Sequence, residues 1–283
     1  MVKNILSIVF AIFLLIPVVF FCGAARAQES KKKHHLSALK TDTIKAPAFR
    51  FRTVVIDAGH GGKNPGAHGA YAKEKNVALA IAKKLKIALQ QQLPTLHVVM
   101  TRSTDNFVEL HRRDEIAAEN KGDLFISIHC NSSPQKVSSD HGVLLLVYGY
   151  HRKEEQLEAI QENSAVYLEK DYQKKYSGYG ANDAINTIVL SAFQQKFRKQ
   201  CIRFADLVNK EFKNTDGRYS LGVREQGVLV LQQSAMPAVL IETGYINNPK
   251  DEEYLSSDDG QDAIVQSITR AVKKYKSELE TQP

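Results

Sequence analysis

The chain has 283 residues, 43% of them hydrophobic, and carries a formal net charge of +7. That is room for one sizeable α/β domain plus extensions. The modest basic excess, with no clustered basic stripe, argues against nucleic acid as a partner and suits work near an anionic surface.

The first stretch reads as a removable leader. Lys3 gives a short basic start, residues 5–22 are almost wholly apolar, and Ala25-Arg26-Ala27 has the small-x-small form of a cleavage site. Cleavage after Ala27 removes Lys3 and Arg26 and no acid, leaving a net charge of about +5. A retained membrane anchor and lipidation at Cys22 are the alternatives. No basic stop-transfer run follows the apolar core, and Phe21 is bulky where a lipobox needs a small residue. The expectation is an exported protein of the periplasm or cell envelope, with no stable membrane span after cleavage. Residues 28–50 are polar and basic, Lys31 to His35 most of all, and read as a flexible linker. Cys130 and Cys201 are the cysteines left beyond the leader; export permits a disulfide between them, and spacing does not decide it.

From Thr53 a β-branched run, Val54-Val55-Ile56, stops abruptly in Gly59-His60-Gly61-Gly62. This is a buried strand feeding a tight loop with a histidine at the break. Glu74–Gln92 follows as a helix, with Val77, Ile81, Leu85, Ala88 and Leu89 at helical spacing and Pro94 beyond its end. Residues 96–100 form the next strand. Residues 105–122 run from a loop into a helix with Leu110, Ile116 and Ala117 inward. Residues 123–129 make a third, nearly continuous apolar strand, and 142–148 a fourth. From His151 to about Lys199 the chain is charged and tyrosine-rich, broken at Gly178 and Gly180, and reads as an insertion. A helix over 200–212, short strands over 227–231 and 238–242, and a closing helix over 264–275 complete the order. Strands alternating with helices of this length predict an α/β fold: a single domain over 51–280, with a twisted, mostly parallel central sheet flanked by helices on both faces.

Four residues stand out by position. His60 lies just past the first strand, Glu74 opens the first helix, His129 ends the third strand and Glu242 ends the last. Open α/β sheets bind ligands at the carboxyl ends of their strands, so these point to one rim. Two imidazoles and a carboxylate are a catalytic zinc set that leaves a position for water. A further carboxylate is then needed as general base, which Glu242 can be. Each residue alone has an ordinary structural explanation, and there is no compact H-E-x-x-H. The glycine loop is neither a phosphate-binding G-x-x-x-x-G-K-[ST] nor G-x-G-x-x-G, since Asn64 occupies the last glycine.

Three strings sharpen this. Val55-Ile56-Asp57-Ala58-Gly59-His60-Gly61-Gly62, Ser127-Ile128-His129-Cys130-Asn131-Ser132 and Pro237-Ala238-Val239-Leu240-Ile241-Glu242-Thr243-Gly244-Tyr245 resemble the three signature blocks of the zinc-dependent N-acetylmuramoyl-L-alanine amidases, the amidase_3 family. Thr101-Arg102, Asp105, Leu110 to Arg113 and Asn120 match between them. The resemblance implies that His60, Glu74 and His129 hold Zn2+ and that Glu242 is the catalytic carboxylate. It also implies a peptidoglycan substrate, cut between N-acetylmuramic acid and the L-alanine of the stem peptide. Asn131 and Arg102, inside the matched stretches, are candidate substrate-binding residues. Cys130 and Asn247 depart from the family's usual residues without removing a ligand or the base. The 151–199 insertion follows the fourth strand, where some cell-division amidases carry a helix that covers the site until a partner displaces it. An activator protein engaging this segment is therefore a further expectation, and a passive surface decoration is the alternative. A non-catalytic wall-binding protein would be expected to have lost one of the four residues. A peptidase acting within the stem peptide would use the same metal chemistry.

Overall fold

The computed structural model describes residues 49–149, 156–176 and 184–281, with only the backbone over 184–194. The expected leader, Cys22 and the linker up to residue 48 lie outside the described residues, as does the Gly178/Gly180 break in the insertion. Among the described residues no helix is long and apolar enough to cross a membrane.

Six strands form the centre: β1 (Thr53–Ala58), β2 (His97–Met100), β3 (Leu124–Asn131), β4 (Val143–Tyr148), β5 (Ser220–Gln226) and β6 (Ala238–Tyr245). Their order across the sheet is β2-β1-β3-β6-β4-β5. All pairs are parallel except β4 with β6. Every residue of β1, β3 and β6 is buried, which requires cover on both faces. One cover is α1 (Glu74–Gln92), α5 (Ala184–Lys210) and α8 (Asp258–Thr281), packed on Val54, Ile56, Ile126 and Ile241. The other includes α2 (Leu110–Glu119) and α6 (Leu229–Gln232), packed on Val55, Phe125, Leu144 and Leu240. Two-residue alternation then assigns the chemistry to a face. Asp57, Ser127, His129 and Glu242 share parity with Val55, Phe125 and Leu240, so they lie on the α2/α6 side at the strand ends.

Helix α1 runs over the residues its periodicity predicts and buries Val77, Ile81, Leu85, Ala88 and Leu89. Each such apolar side chain contributes roughly 1.5–3 kcal/mol when fully buried. Three readings need correction. The apolar run at 228–231 is not a strand but the turn of α6; the strand is the more polar Ser220–Gln226 before it, on the sheet edge. Short apolar runs do not distinguish strand from buried helix, and Gln226-Gly227 breaks the ladder first. Helix α2 turns Arg113, Asp114 and Ala117 inward, leaving Leu110 and Ile116 half-buried, because its inner face meets the polar Asp57. The helix expected from residue 200 is the second half of α5, which starts at Ala184. Within the insertion lie α3 (Leu157–Asn163), a 3₁₀ turn (Ser164–Leu168) and α4 (Tyr172–Tyr176). A short α7 (Pro249–Ser256), absent from the sequence reading, follows β6. Cys130 and Cys201 are both free thiols.

Candidate metal centre

The loop after β1 is shaped from beneath by two buried arginines. Arg113 of α2 donates from Nη1 to Asp57 Oδ1 (2.6 Å) and to the Ala58 carbonyl (2.8 Å), and from Nη2 to the His60 carbonyl (2.8 Å). Arg102 donates from Nε to the Ala58 carbonyl (2.8 Å) and from Nη2 to the carbonyls of Gly59 (2.6 Å) and Lys75 (2.8 Å). Three consecutive carbonyls are thus gathered on one side, which turns the chain sharply. His60 has φ +58°, left-handed and costly for a residue with a Cβ. Asp57 also accepts hydrogen bonds from Thr101 Oγ1 (2.5 Å) and Ser127 Oγ (2.7 Å). Burial works to raise its pKa, but the Arg113 guanidinium and the two hydroxyls bring it below the usual carboxylate range, so it is ionised.

Above this base the side chains converge. Glu74 Oε1 lies 2.9 Å from His60 Nε2 and 3.0 Å from His129 Nδ1, and it accepts the Cys130 N–H at 2.9 Å. Its Oε2 accepts the Ala67 N–H at 2.8 Å. Despite this proximity, neither ring nitrogen of His60 has a hydrogen-bond partner. The His60 ring is thus close to the Glu74 carboxylate without being bonded to it, which leaves its nitrogens available to a further ligand. Two glycines make room: a Cβ on Gly59 would lie 2.4 Å from the His129 ring, and one on Gly66 2.5 Å from Glu74 Oε2.

A fourth group joins them. Glu162, near the end of α3, brings Oε2 to 2.8 Å from His129 Nδ1 and 3.4 Å from His60 Nε2. One ligand atom from each of His60, Glu74, His129 and Glu162 lies within 4.8 Å of the others, a group that can hold a metal ion. Burial opposes ionisation of Glu74, yet the two imidazoles hold its pKa far below the carboxylate range. For His129 burial works downward, and Glu162 and Glu74 overcome it, holding the pKa well above that of an ordinary imidazole.

Glu242 sits opposite His129 in the β3–β6 register, on the same face and 1% exposed. Its Oε2 has no hydrogen-bond partner. Burial, and then the negative charge of Glu162, push its pKa well above the usual range. Arg102 lies under the loop with its donors on backbone carbonyls. Asn131, 3% exposed at the end of β3, accepts the Ser132 N–H at 2.7 Å and leaves Nδ2 without a partner.

Sequence reading missed Glu162. Its signal was an inverted helix face: in α3 and the turn after it, Leu157, Ile160, Tyr167 and Leu168 face solvent, while Glu158, Glu162 and Glu169 face the domain. The segment is held by polar bonds: Glu158 accepts Gln226 Nε2 (2.6 Å), Asn163 bridges Gly227 and Leu229, and Glu169 accepts the Leu110 N–H at the start of α2 (2.8 Å).

Residues 54–274 match the profile of the Amidase_3 family, described as N-acetylmuramoyl-L-alanine amidase. The chain belongs to this family. It is 29% identical over 230 residues to the N-acetylmuramoyl-L-alanine amidase AmiA of Escherichia coli K12, covering 79% of this chain and 76% of that one. It is also 29% identical over 235 residues to AmiC of Escherichia coli O6:H1, covering 82% of this chain but only 54% of AmiC, so it spans about half of that relative's length. Among solved structures, the catalytic domain of CwlV from Bacillus (Paenibacillus) polymyxa var. colistinus superimposes with a TM-score of 0.57 at 31% identity, over 79% of this chain and 97% of that one. Family membership and the four-residue group agree on a metal-dependent amidase.

Proposed function

We propose that the protein is a zinc N-acetylmuramoyl-L-alanine amidase that cuts peptidoglycan between the lactyl group of N-acetylmuramic acid and the L-alanine of the stem peptide. The observation that carries this reading is the convergence of His60, Glu74 and His129, with the His60 nitrogens unpartnered, beside a buried carboxylate on the neighbouring strand. Two imidazoles and a carboxylate suit zinc, and those three residues would hold it. When bound, zinc supplies an acidified water and a Lewis acid for the amide carbonyl. Glu242 takes the proton from the attacking water and delivers it to the leaving amine of L-alanine, so it must begin ionised. Asp57, Arg102 and Arg113 keep His60 aimed. Asn131, with its free Nδ2, is a candidate donor to substrate, whereas the bonds of Arg102 favour a role in shaping the loop over contact with substrate.

Glu162 carries the second half of the reading. It stands on His129 and, on top of burial, adds negative charge beside Glu242, so with α3 in place a carboxylate crowds the metal ligands and opposes ionisation of the base. The insertion, expected over 151–199, is then an inhibitory cover, and an activator protein that lifts it would free both groups. Beyond the domain at 51–280, residues 1–27 act as an export leader and 28–50 as a linker, delivering the enzyme to the periplasm or envelope for cell-wall turnover or daughter-cell separation.

The test is a digest of purified peptidoglycan by the zinc-loaded protein from residue 28, with products identified by mass spectrometry. Wild type, Glu162→Ala and Glu242→Ala run in parallel. Free stem peptides beginning with L-alanine, more abundant with Glu162→Ala and lost with Glu242→Ala, are the expected result. Cleavage inside the stem peptide would instead make the enzyme a peptidase. Inactivity of both wild type and Glu162→Ala with zinc bound would leave a wall-binding protein.

A further inference from the structure

Glu74 is held from an unexpected direction. Between His60 and α1 the chain makes a tight hairpin: His68 and Lys73 form an antiparallel bridge, the Gly69 N–H donates to the Ala72 carbonyl (3.0 Å), and the Glu74 N–H donates to the Ala67 carbonyl (3.0 Å). The base of this hairpin is therefore Ala67 and Glu74, and the Ala67 N–H also binds Glu74 Oε2 (2.8 Å). Its tip is held by a distant carboxylate. Glu252 in α7 accepts the N–H of Ala70 at Oε2 (2.9 Å) and those of Tyr71 and Ala72 at Oε1 (2.8 Å each). Tyr71 at the tip is 68% exposed and Ala72 is partly buried against the core, whereas Glu252 is 2% exposed.

The other end of this connection reaches the catalytic strand. Asn248 caps α7, accepting the Lys250 and Asp251 N–H groups. Asp251 Oδ2 accepts the N–H of Tyr245, three residues past Glu242, and that of Gly142 (2.8 Å each). The first turn of α7 thus binds the end of β6 and, through Glu252, the hairpin that ends in Glu74. Gly69 marks the closeness of the fit. A Cβ there would lie 2.2 Å from Glu252 Oε1 and 2.5 Å from the Ile246 carbonyl.

We propose that Glu252 is a positioning residue that seats the 67–74 hairpin and so sets the orientation of Glu74 at the metal site. This rests on the reading of Glu74 as a zinc ligand. Groups that orient a ligand without touching the metal typically change metal affinity by about 10–100-fold when removed.

The experiment measures zinc affinity of the full chain by competition with a chromophoric chelator, for wild type, Glu252→Gln, Gly69→Ala, the double variant and Glu74→Ala. Glutamine keeps the shape but places an amide N–H₂ against one of the three donors. Alanine at Gly69 pushes the hairpin from the other side. Each single variant is expected to weaken zinc binding by about 10-fold or more, and the double variant to be little worse than the weaker single, because both act through one hairpin. Peptidoglycan cleavage by Glu252→Gln should return as zinc is raised, with KM unchanged. Wild-type zinc affinity in both single variants, with only a lowered Tm, overturns the proposal and leaves Glu252 a structural anchor. Should Glu252→Gln fail to fold, Gly69→Ala decides. If Glu74→Ala binds zinc as tightly as wild type, the metal-site reading falls and the proposal with it. If Glu74→Ala loses zinc while Glu252→Gln keeps it, only the proposal falls.

Discussion

The rim that carries His60, Glu74, His129 and Glu242 and the insertion that carries Glu162 meet at one point but are built on opposite principles. The rim stands on strands buried along their whole length and on the start of α1, and beneath it Asp57 and Arg113 form an ion pair at 2.6 Å with essentially no solvent access. The insertion turns Ile160 and Tyr167 to water and reaches the domain through the small contacts of Ala159, Ala165 and Val166, through hydrogen bonds, and through ion pairs open to solvent on one side, such as Arg224–Glu158 at 3.4 Å. Polar contacts of the second kind exchange readily with water and contribute little net stability. The difference teaches which of the four converging side chains belongs permanently to the site. Three stand on the sheet and the start of α1, whereas Glu162 stands on a short helix that joins the domain mainly through hydrogen bonds.

The largest expected effect lies on the rim. Glu242→Ala should lower peptidoglycan cleavage by about 10²–10⁴-fold, the usual contribution of a general base, with zinc content unchanged by metal analysis. Chelation should abolish activity in every variant, and added zinc should restore it; activity that survives chelation would sever the rim from the chemistry. Next is Arg113→Leu, which strands a buried Asp57 carboxylate. It should cost roughly 3–5 kcal/mol in denaturant unfolding, whereas Arg224→Ala in the insertion's ion pair should cost about 1 kcal/mol or less. Equal losses would erase the distinction between the two regions. Glu162→Ala should raise the rate by about 10-fold, equivalent to about 1.4 kcal/mol of closed-state preference, with Tm little changed. An unchanged rate would make the insertion passive.

The smallest effect concerns Asp114, buried one residue beyond Arg113. Burial, and then the nearby charge of Asp57, raise its pKa well above the usual range. The folded protein therefore keeps a proton that the unfolded chain releases in the ordinary carboxylate range. Stability should fall as pH rises from that range through the folded pKa. Asp114→Asn should flatten this decline in Tm measured between pH 5 and 8; an unaltered slope would mean that Asp114 is ionised when folded.

Much of the rim was legible because it follows from local rules. A β-branched run breaking at Gly59-His60 announces a strand end, and Glu74 falls where α1 must begin. The β3 and β6 strings end on His129 and Glu242 at matching register. Illegible were residues whose role depends on what is opposite them. Arg102 lies in a matched stretch, and nothing in that stretch announces that its Nε and Nη2 donate to carbonyls of the His60 loop. Arg113 and Asp114 sit where helix periodicity calls for apolar residues. Glu162 looks like one more acid in a charged segment, and Glu252 like a surface helix residue.

By itself the sequence determined the α/β alternation, the helix α1 to its ends, and the family, because apolar period, β-branching and three ordered motifs are properties of contiguous residues. Only the tertiary structure decided that β4 runs antiparallel to β6, that α3 points its glutamates inward, and that a carboxylate 178 positions after Glu74 seats the hairpin in front of it. A buried charge is stable only beside its partner, and which residue becomes that partner is settled when distant segments pack.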